Sequence, residues 1–496
     1  MPPISLAQHY HQRTKYDPAT ISAKSSGLDW SNQPSVYKHY KVGKVYDLKP
    51  ALGQSDQGQS QQLSKFLLCS YGITAKIATS AQEFLYLRAA PSAGGLYPAE
   101  VYLISDGTEL LPKGLYHYQP QDHTLVQFWQ SDQVWQKLCL SCFQHPALKV
   151  TRLAIATSAI FYRSAWRYQA RAYRRIFLDT GHLLGNIDLS GAMHGFLPYA
   201  IGGFQDEELN QLLFLESASE SVTTVLAILD PNTPIPPGVW SALASATTYD
   251  YGSIGEDQLL PQLHLASQIR DLKLVAASPE LDKYNLPFCP KESTIAAESI
   301  NWGDRFQYLE QTILRRRSTR AYTGASIDFS SLVILLEFTY QPHNFADQGL
   351  YPRGNYFAPE LLQTFLAVSN VAGLEDGCYY YSVEAEELRQ IRFKNFRPDL
   401  HFLCLGQDLG RDAAVVVFHT ADLEKAVASY GDRAYRYLHL DAGQLGQRIN
   451  LAATYLGLGV SGIAGFFDDQ VNQLLGIPEQ EAVIYITTIG QPRHGF

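Results

Sequence analysis

At 496 residues the chain is longer than one ordinary hydrophobic core serves, and its length points to two or three domains. Hydrophobic residues at 46% and charged residues at 18% exclude a disordered chain. A net charge of −9 and a pI near 5.9 argue against a nucleic-acid surface or a polybasic membrane patch.

In chain order, residues 1–55 read as a leader with a short helix from Ser5 to Thr14 and an extended stretch rich in Pro and Tyr. Its opening, Met1-Pro-Pro-Ile-Ser-Leu-Ala-Gln-His9, lacks a signal-peptide core, and no apolar run in the chain approaches the roughly 20 residues that cross a bilayer. The stretch from Gly53 to Gln62 is a polar linker unable to bury itself. A helix from Leu63 to Tyr71 follows, and then a turn dense in Pro and Gly leads into the strand Val101-Tyr-Leu-Ile104. Leu115–Tyr118 and Leu125–Phe128 read as two strands around a Pro120–His123 turn. The helical stretch from Val134 holds Cys139 and Cys142, with His145 nearby. No second pair stands at zinc spacing, so buried thiols suit it better than a metal. Six cysteines in so long a chain make no disulfide framework, and a reducing cytoplasm is the expected setting. The short apolar run Leu153–Thr157 reads as a central strand.

Two later segments repeat one another. Arg171-Ala-Tyr-Arg, Asp179-x-Gly181, Gly203-Phe204 and Asn210-Gln-Leu-Leu213 return as Arg433-Ala-Tyr-Arg, Asp441-x-Gly443, Gly465-Phe466 and Asn472-Gln-Leu-Leu475. The offsets 433 against 171, 441 against 179, 465 against 203 and 472 against 210 are all 262. Chance does not hold register over a helix, a loop and a second helix, so the chain is an internal duplication. Half one is assigned to 56–235, a connector to 236–305 and half two to 306–496, opening with a helix from Phe306 to Arg317. The fold class is α+β.

The turn before Val101 reads Arg88-Ala-Ala-Pro91-Ser92-Ala93-Gly94-Gly95-Leu-Tyr-Pro-Ala-Glu100. Pro91 fixes φ at its entry, and the two glycines let backbone N–H groups approach a flat or anionic ligand. A tight turn ahead of a strand would use the same residues. The string closely resembles the flavin-contacting loop of SagB-type dehydrogenases, the azoline oxidases of the FMN-dependent nitroreductase superfamily. Leu28-Asp-Trp-Ser-Asn-Gln-Pro34 and Lys38-His-Tyr40 are similar to that family's leader. In half two, Arg315-Arg316-Arg317-Ser318-Thr319-Arg320 resembles the superfamily's phosphate and ribityl clamp, although a solvated basic helix end would look alike.

The resemblance implies two nitroreductase-like domains folded as a single-chain pseudo-dimer, since relatives bind each flavin between two subunits. Half one has no arginine clamp, and half two has lost the serine and glycine pair, reading Tyr351-Pro-Arg-Gly-Asn-Tyr-Phe-Ala-Pro-Glu360. One composite FMN site is therefore expected. Arg88, Pro91, Ser92, Ala93, Gly94 and Gly95 would meet Arg316, Arg317, Ser318 and Arg320 there. Gly462, Ile463, Ala464 and Gly465 would lie near the flavin N5 edge, and Arg493 would be a further phosphate ligand. The other place is expected to be vestigial. The family's catalytic Lys-Tyr pair matches Arg167 and Tyr168, so the lysine is gone; arginine stays protonated and is a poor base, whereas Tyr168 is either an acid–base group or an interface tyrosine. His182 reads as a helix-buried histidine. No metal is expected.

Three functions stay open on these residues. One is an FMN-dependent dehydrogenase or oxidase acting on azolines of a modified peptide or on a small molecule. The second is an NAD(P)H-dependent reductase of nitro or conjugated carbonyl compounds. The third is a flavin-fold scaffold without catalysis. Biosynthetic partner enzymes are implied by the first and third, nucleic acid and membrane by none, and further oligomerisation is left open.

Overall fold

A computed structural model describes residues 3–21, 27–53, 58–78, 84–275, 283–352 and 354–493. Part of the polar linker, residues 54–57, lies outside them.

Half one is built on an antiparallel sheet of seven strands: β1 (Lys44–Asp47), β4 (Ala99–Ser105), β5 (Gly114–Gln119), β6 (Thr124–Trp129), β7 (Leu153–Ile160), β8 (Leu197–Ile201) and β9 (Glu220–Leu229). Their order is β1-β6-β5-β4-β7-β9-β8. The short strands β2 (Ile73–Ala78) and β3 (Phe84–Arg88) form a separate hairpin. Half two repeats the arrangement with β10 (Lys291–Ser293), β11 (Gln363–Val368), β12 (Gly377–Ser382), β13 (Glu387–Arg392), β14 (Val415–Asp422), β15 (Gly459–Ile463) and β16 (Glu481–Gly490), ordered β10-β13-β12-β11-β14-β16-β15. The middle strands β7 and β14 are buried along nearly their whole length, which is why they read as apolar runs without alternation. Each carries a bulge at the same place, Thr157/Ser158 and His419/Thr420. Lys291–Ser293, inside the stretch read as a connector, supplies the outer strand of the second sheet.

The helices include α1 (Leu6–Thr14), α2 (Gln59–Tyr71), α3 (Phe161–Tyr168), α4 (Ala172–His194), α5 (Leu259–Ala266), α6 (Gln307–Arg315), α7 (Phe329–Tyr340), α8 (Leu423–Tyr430) and α9 (Ala434–Tyr455), and the two long ones, α4 and α9, each pack on the sheet of their own half. Helices α4 and α9 are buried almost throughout and cross at a pair of glycines. A Cβ on Gly181 would fall 2.2 Å from the Leu440 carbonyl oxygen, and one on Gly443 would fall 2.3 Å from that of Leu178. Two backbones this close exclude every side chain, so the crossing marks the pseudo-two-fold axis.

Ion pairs across the interface obey the same symmetry. Asp468 of half two takes Arg171 and Arg174, and Asp206 of half one takes Arg433 and Arg436, at 2.5–2.8 Å. Helix α1 starts with a reciprocal Ser5/Gln8 cap, and its Ala7 N–H donates to Asp432 of half two at 2.9 Å. Helix α6 stops two residues short of the expected Arg317. Arg316 takes up extended backbone (ψ 128°), and the arginines beyond the helix end are drawn onto half one.

Candidate functional site

The turn after β3 is set by its own residues. Ser92 is extended, while Gly94 and Gly95 take left-handed φ of +66° and +67°. A Cβ on Gly94 would also come 2.8 Å from Tyr168 Oη, so a side chain there would displace that hydroxyl. Asp179 of α4 holds the turn. It accepts the Ser92 hydroxyl at 2.5 Å and the Ala93 N–H at 3.1 Å, while Ser92 Oγ accepts the Tyr97 N–H at 2.8 Å. Burial pushes the Asp179 carboxyl up to about 7 against these donors and Arg175.

Half two brings the segment after α6 to this turn. Arg316 Nε donates to the Ala89 carbonyl at 2.9 Å and its Nη2 to that of Arg88 at 3.3 Å. Burial pushes its pKa down to about 10. Arg317 Nη2 donates to the Thr74 carbonyl at 2.8 Å. Thr319 exchanges two hydrogen bonds with Val460, at 2.9 and 3.0 Å, so the segment lies along β15. Arg320 Nη1 thereby comes 3.4 Å from Ser461 Oγ.

A cavity of about 540 Å3 opens between the halves. Pro91, Ser92, Ala93, Gly94, Arg167 and Tyr168 line it from half one; Ser318, Arg320, Gly462, Ile463, Ala464 and Gly465 line it from half two. The other residues expected there stand back from it. Arg88 is held between the Tyr71 and Tyr97 rings, 4.5 and 4.6 Å away, and donates to the Val36 carbonyl. Arg316 and Arg317 serve half-one carbonyls, and Gly95 turns the chain. Arg493 has a side chain 55% exposed and 3.9 Å from Asp412.

Among the lining residues not read in the sequence as site groups are Tyr16, Arg175, Asp179, Asn450, Ser461, Tyr485 and, in place of a merely buried role, His182. A Cβ on Gly462 would sit 1.8 Å from Tyr485 Oη, so only glycine fits against that ring. Gln447 donates to Asn186 at 2.6 Å, and its carbonyl must then accept from His182 Nδ1–H at 3.1 Å. His182 Nε2 is left as the acceptor of the Tyr485 hydroxyl at 2.8 Å, and burial keeps the ring neutral, with its pKa pushed down to about 3. The Tyr485 lone pairs therefore face away from His182.

Two tyrosines stand at the mouth. Burial raises the Tyr168 pKa even though Arg175 and Arg167 oppose it, so Tyr168 is a hydrogen-bond donor. Burial acts on Tyr16 too, but Arg175 and Arg171 outweigh it and its pKa is lowered. Arg175 Nη1 and Asn450 Oδ1 are buried without a protein partner. Unmatched polar atoms in a cavity wall are what a bound polar ligand satisfies. Cys139 and Cys142 are free thiols, and His145 is committed to the Ala147 N–H and the Trp240 carbonyl. Among the described residues no group of His, Cys, Asp and Glu is arranged to hold a metal ion, and no helix is long and apolar enough to cross a membrane.

The nitroreductase family model matches residues 61–228 and again 313–491. A crystal structure of a nitroreductase-like protein from Anabaena variabilis is 57% identical over 99% of this chain and 100% of its own, with a TM-score of 0.93. A nitroreductase-like protein of Methanocaldococcus jannaschii is 29% identical over 171 residues, 34% of this chain and 85% of the relative. The microcin B17-processing protein McbC of Escherichia coli is 27% identical over 146 residues, 29% of this chain and 54% of McbC, about half that relative's length. The fold, the repeated match and the full-length relative agree: this chain belongs to the nitroreductase family and carries its domain twice.

Proposed function

We propose that the chain is an FMN-dependent oxidoreductase with one composite flavin site, acting as a SagB-type dehydrogenase on azoline rings or related groups of a modified peptide or small molecule. The observation that carries this reading is the meeting of two incomplete halves at one cavity. Ser318 and Arg320 come from the half without the Pro-Ser turn, and Pro91–Gly94 from the half without the clamp. The volume suits a cofactor-sized ligand. Arg320, Ser318 and Ser461 are donors fit for a phosphate and ribityl chain, the bare backbone of Gly462–Gly465 suits a ring edge, and the unmatched Asn450 Oδ1 awaits a partner.

FMN, when bound, supplies the two-electron redox chemistry. The chain's residues supply the rest. Arg316 fixes the turn from across the interface, Asp179 orients Ser92, Tyr168 donates a proton or hydrogen bond at the mouth, and Tyr16 is the more acidic phenol beside it. Similarity to McbC, by name a processor of microcin B17, supports a substrate of that class. Arg167 favours a second reading, reduction of nitro or conjugated carbonyl compounds with NAD(P)H, because a permanent cation is not a base.

Reconstitution with excess FMN tests the site, with one flavin per chain expected; two per chain, or a colourless protein, overturns it. Anaerobic mixing of the flavin-loaded protein with an azoline peptide or with NADPH then separates the two chemistries, by which of them bleaches the flavin.

A further inference from the structure

Four arginines gather where α3 meets α4: Arg167, Arg171, Arg174 and Arg175. Arg171 and Arg174 are answered by Asp468 at 2.8 and 2.7 Å. The duplicate keeps this arrangement, with Arg433 and Arg436 on Asp206. It does not keep the other two, since Ser429 stands opposite Arg167 and Tyr437 opposite Arg175. Half one therefore carries two guanidinium charges at this corner that the shared interface does not use.

Arg175 is 4% exposed, lies 3.8 Å over the Tyr168 ring and leaves Nη1 without a partner. The nearest carboxylate on its helix, Asp179, is already taken by Ser92 and the Ala93 N–H. Arg175 also acts on Tyr16 and Asp179, but a buried guanidinium N–H left unpaired is costly, and an anion entering the cavity relieves it. The phosphate donors do not occupy this end, because Arg320 reaches Ser461 whereas Arg175 lies beside Gly465, 3.6 Å from where its Cβ would be. A second cavity of about 510 Å3 adjoins the first and shares Tyr16, Arg167, Tyr168 and Leu405 with it. A ligand passing from the second cavity into the first passes Arg167 and meets Arg175 inside.

Resting on the composite flavin site, we propose that Arg175, with Arg167 at the entrance, forms a carboxylate-binding subsite that selects anionic substrates. The substrate's carboxylate takes the free Nη1 of Arg175, and its reactive part extends into the cavity of the Pro91–Gly94 turn.

The test is a calorimetric titration of the FMN-loaded protein with benzoate and with benzamide, its neutral isostere, read in parallel by the visible spectrum of the flavin. Benzoate should bind at least ~10-fold more tightly, and Arg175→Gln should remove that preference, a ~10- to 100-fold loss expected for one charged hydrogen bond. Arg175→Lys should retain part of it, and Arg167→Ser should lose less than Arg175→Gln. Equal binding of the two probes in the unmutated protein overturns the proposal. So does an unchanged preference in Arg175→Gln that still holds one flavin. If Arg175→Gln does not fold, the wild-type ratio and the lysine variant decide. Should the chain take up no FMN, the flavin reading fails by itself, and the same titration of the flavin-free protein decides the subsite.

Discussion

Asp179 and Asp441 occupy the same turn of their helices and hold equivalent loops, yet the space around them differs. Asp179 accepts from Ser92 and Ala93 and borders a polar cavity; Asp441 accepts the N–H groups of Phe357 and Ala358 at 2.9 and 2.7 Å with side chains packed on every side. Phe357 stacks on Tyr437, ring centres 5.3 Å apart and 17° from parallel, and Tyr437 stands where half one has Arg175. A Cβ on Gly202 would fall 2.6 Å from the Phe357 ring, and one on Gly203 would fall 2.3 Å from Leu243 of the connecting stretch. Beside this plug lies an aromatic cavity of about 790 Å3 whose described lining residues include no Arg, Lys or His. Once two copies share a chain, only one interface pocket needs its unmatched polar atoms. The other gains packing by filling.

Four substitutions break or sharpen that comparison. Gly181→Val should do the greatest harm, since its side chain would enter the α9 backbone at the axis both places depend on. A loss of about 3 kcal/mol or more in urea unfolding is expected, and an unchanged midpoint would mean the crossing can spread apart. Phe357→Ala should cost about 3 kcal/mol in the same assay without adding a second equivalent of FMN, because the arginine clamp is still missing there. Uptake of a second flavin would show the plug alone to be decisive. Arg320→Ala should weaken FMN binding ~10- to 100-fold with little change in unfolding, as measured by flavin fluorescence.

The smallest effect concerns pH. Burial raises the Asp179 carboxyl to about 7 in the folded chain, so its proton favours folding. That contribution is complete below the unfolded value of about 4 and is lost as the pH rises through 7. Asp179→Asn should therefore lose less stability than the wild type between pH 5 and 8, by on the order of 2 kcal/mol. Asp441, pushed up to about 8, gives a matching loss over a window reaching higher pH. Equal pH slopes for wild type and Asp179→Asn would show that the carboxyl is ionised throughout.

The constant offset was legible because the two copies still solve the same packing problem: the Gly181/Gly443 crossing and the Asp206 and Asp468 clusters need the same residues at the same spacing. The Pro91–Gly95 turn was legible for a local reason, its two successive left-handed φ values favouring glycine. The arginine motif shows less of its contacts in the sequence. Arg316 and Arg317 face carbonyls of Arg88, Ala89 and Thr74, and the need of those acceptors for donors leaves no mark in the sequence. Tyr16 was invisible for a different reason, being carried to the mouth by a leader segment that bridges to Phe467 of the other half.

From its residues alone, then, this protein's doubling, its α+β class and the complementary losses of its two halves could be derived, since helical period, turn chemistry and repeat register are local properties of a chain. The tertiary structure alone decided which arginines face the cavity, that Phe357, Tyr437 and Leu243 fill its counterpart, and that Arg175 Nη1 is buried without a partner. Those outcomes depend on which groups from distant parts of the chain compete for the same buried space and the same hydrogen bonds.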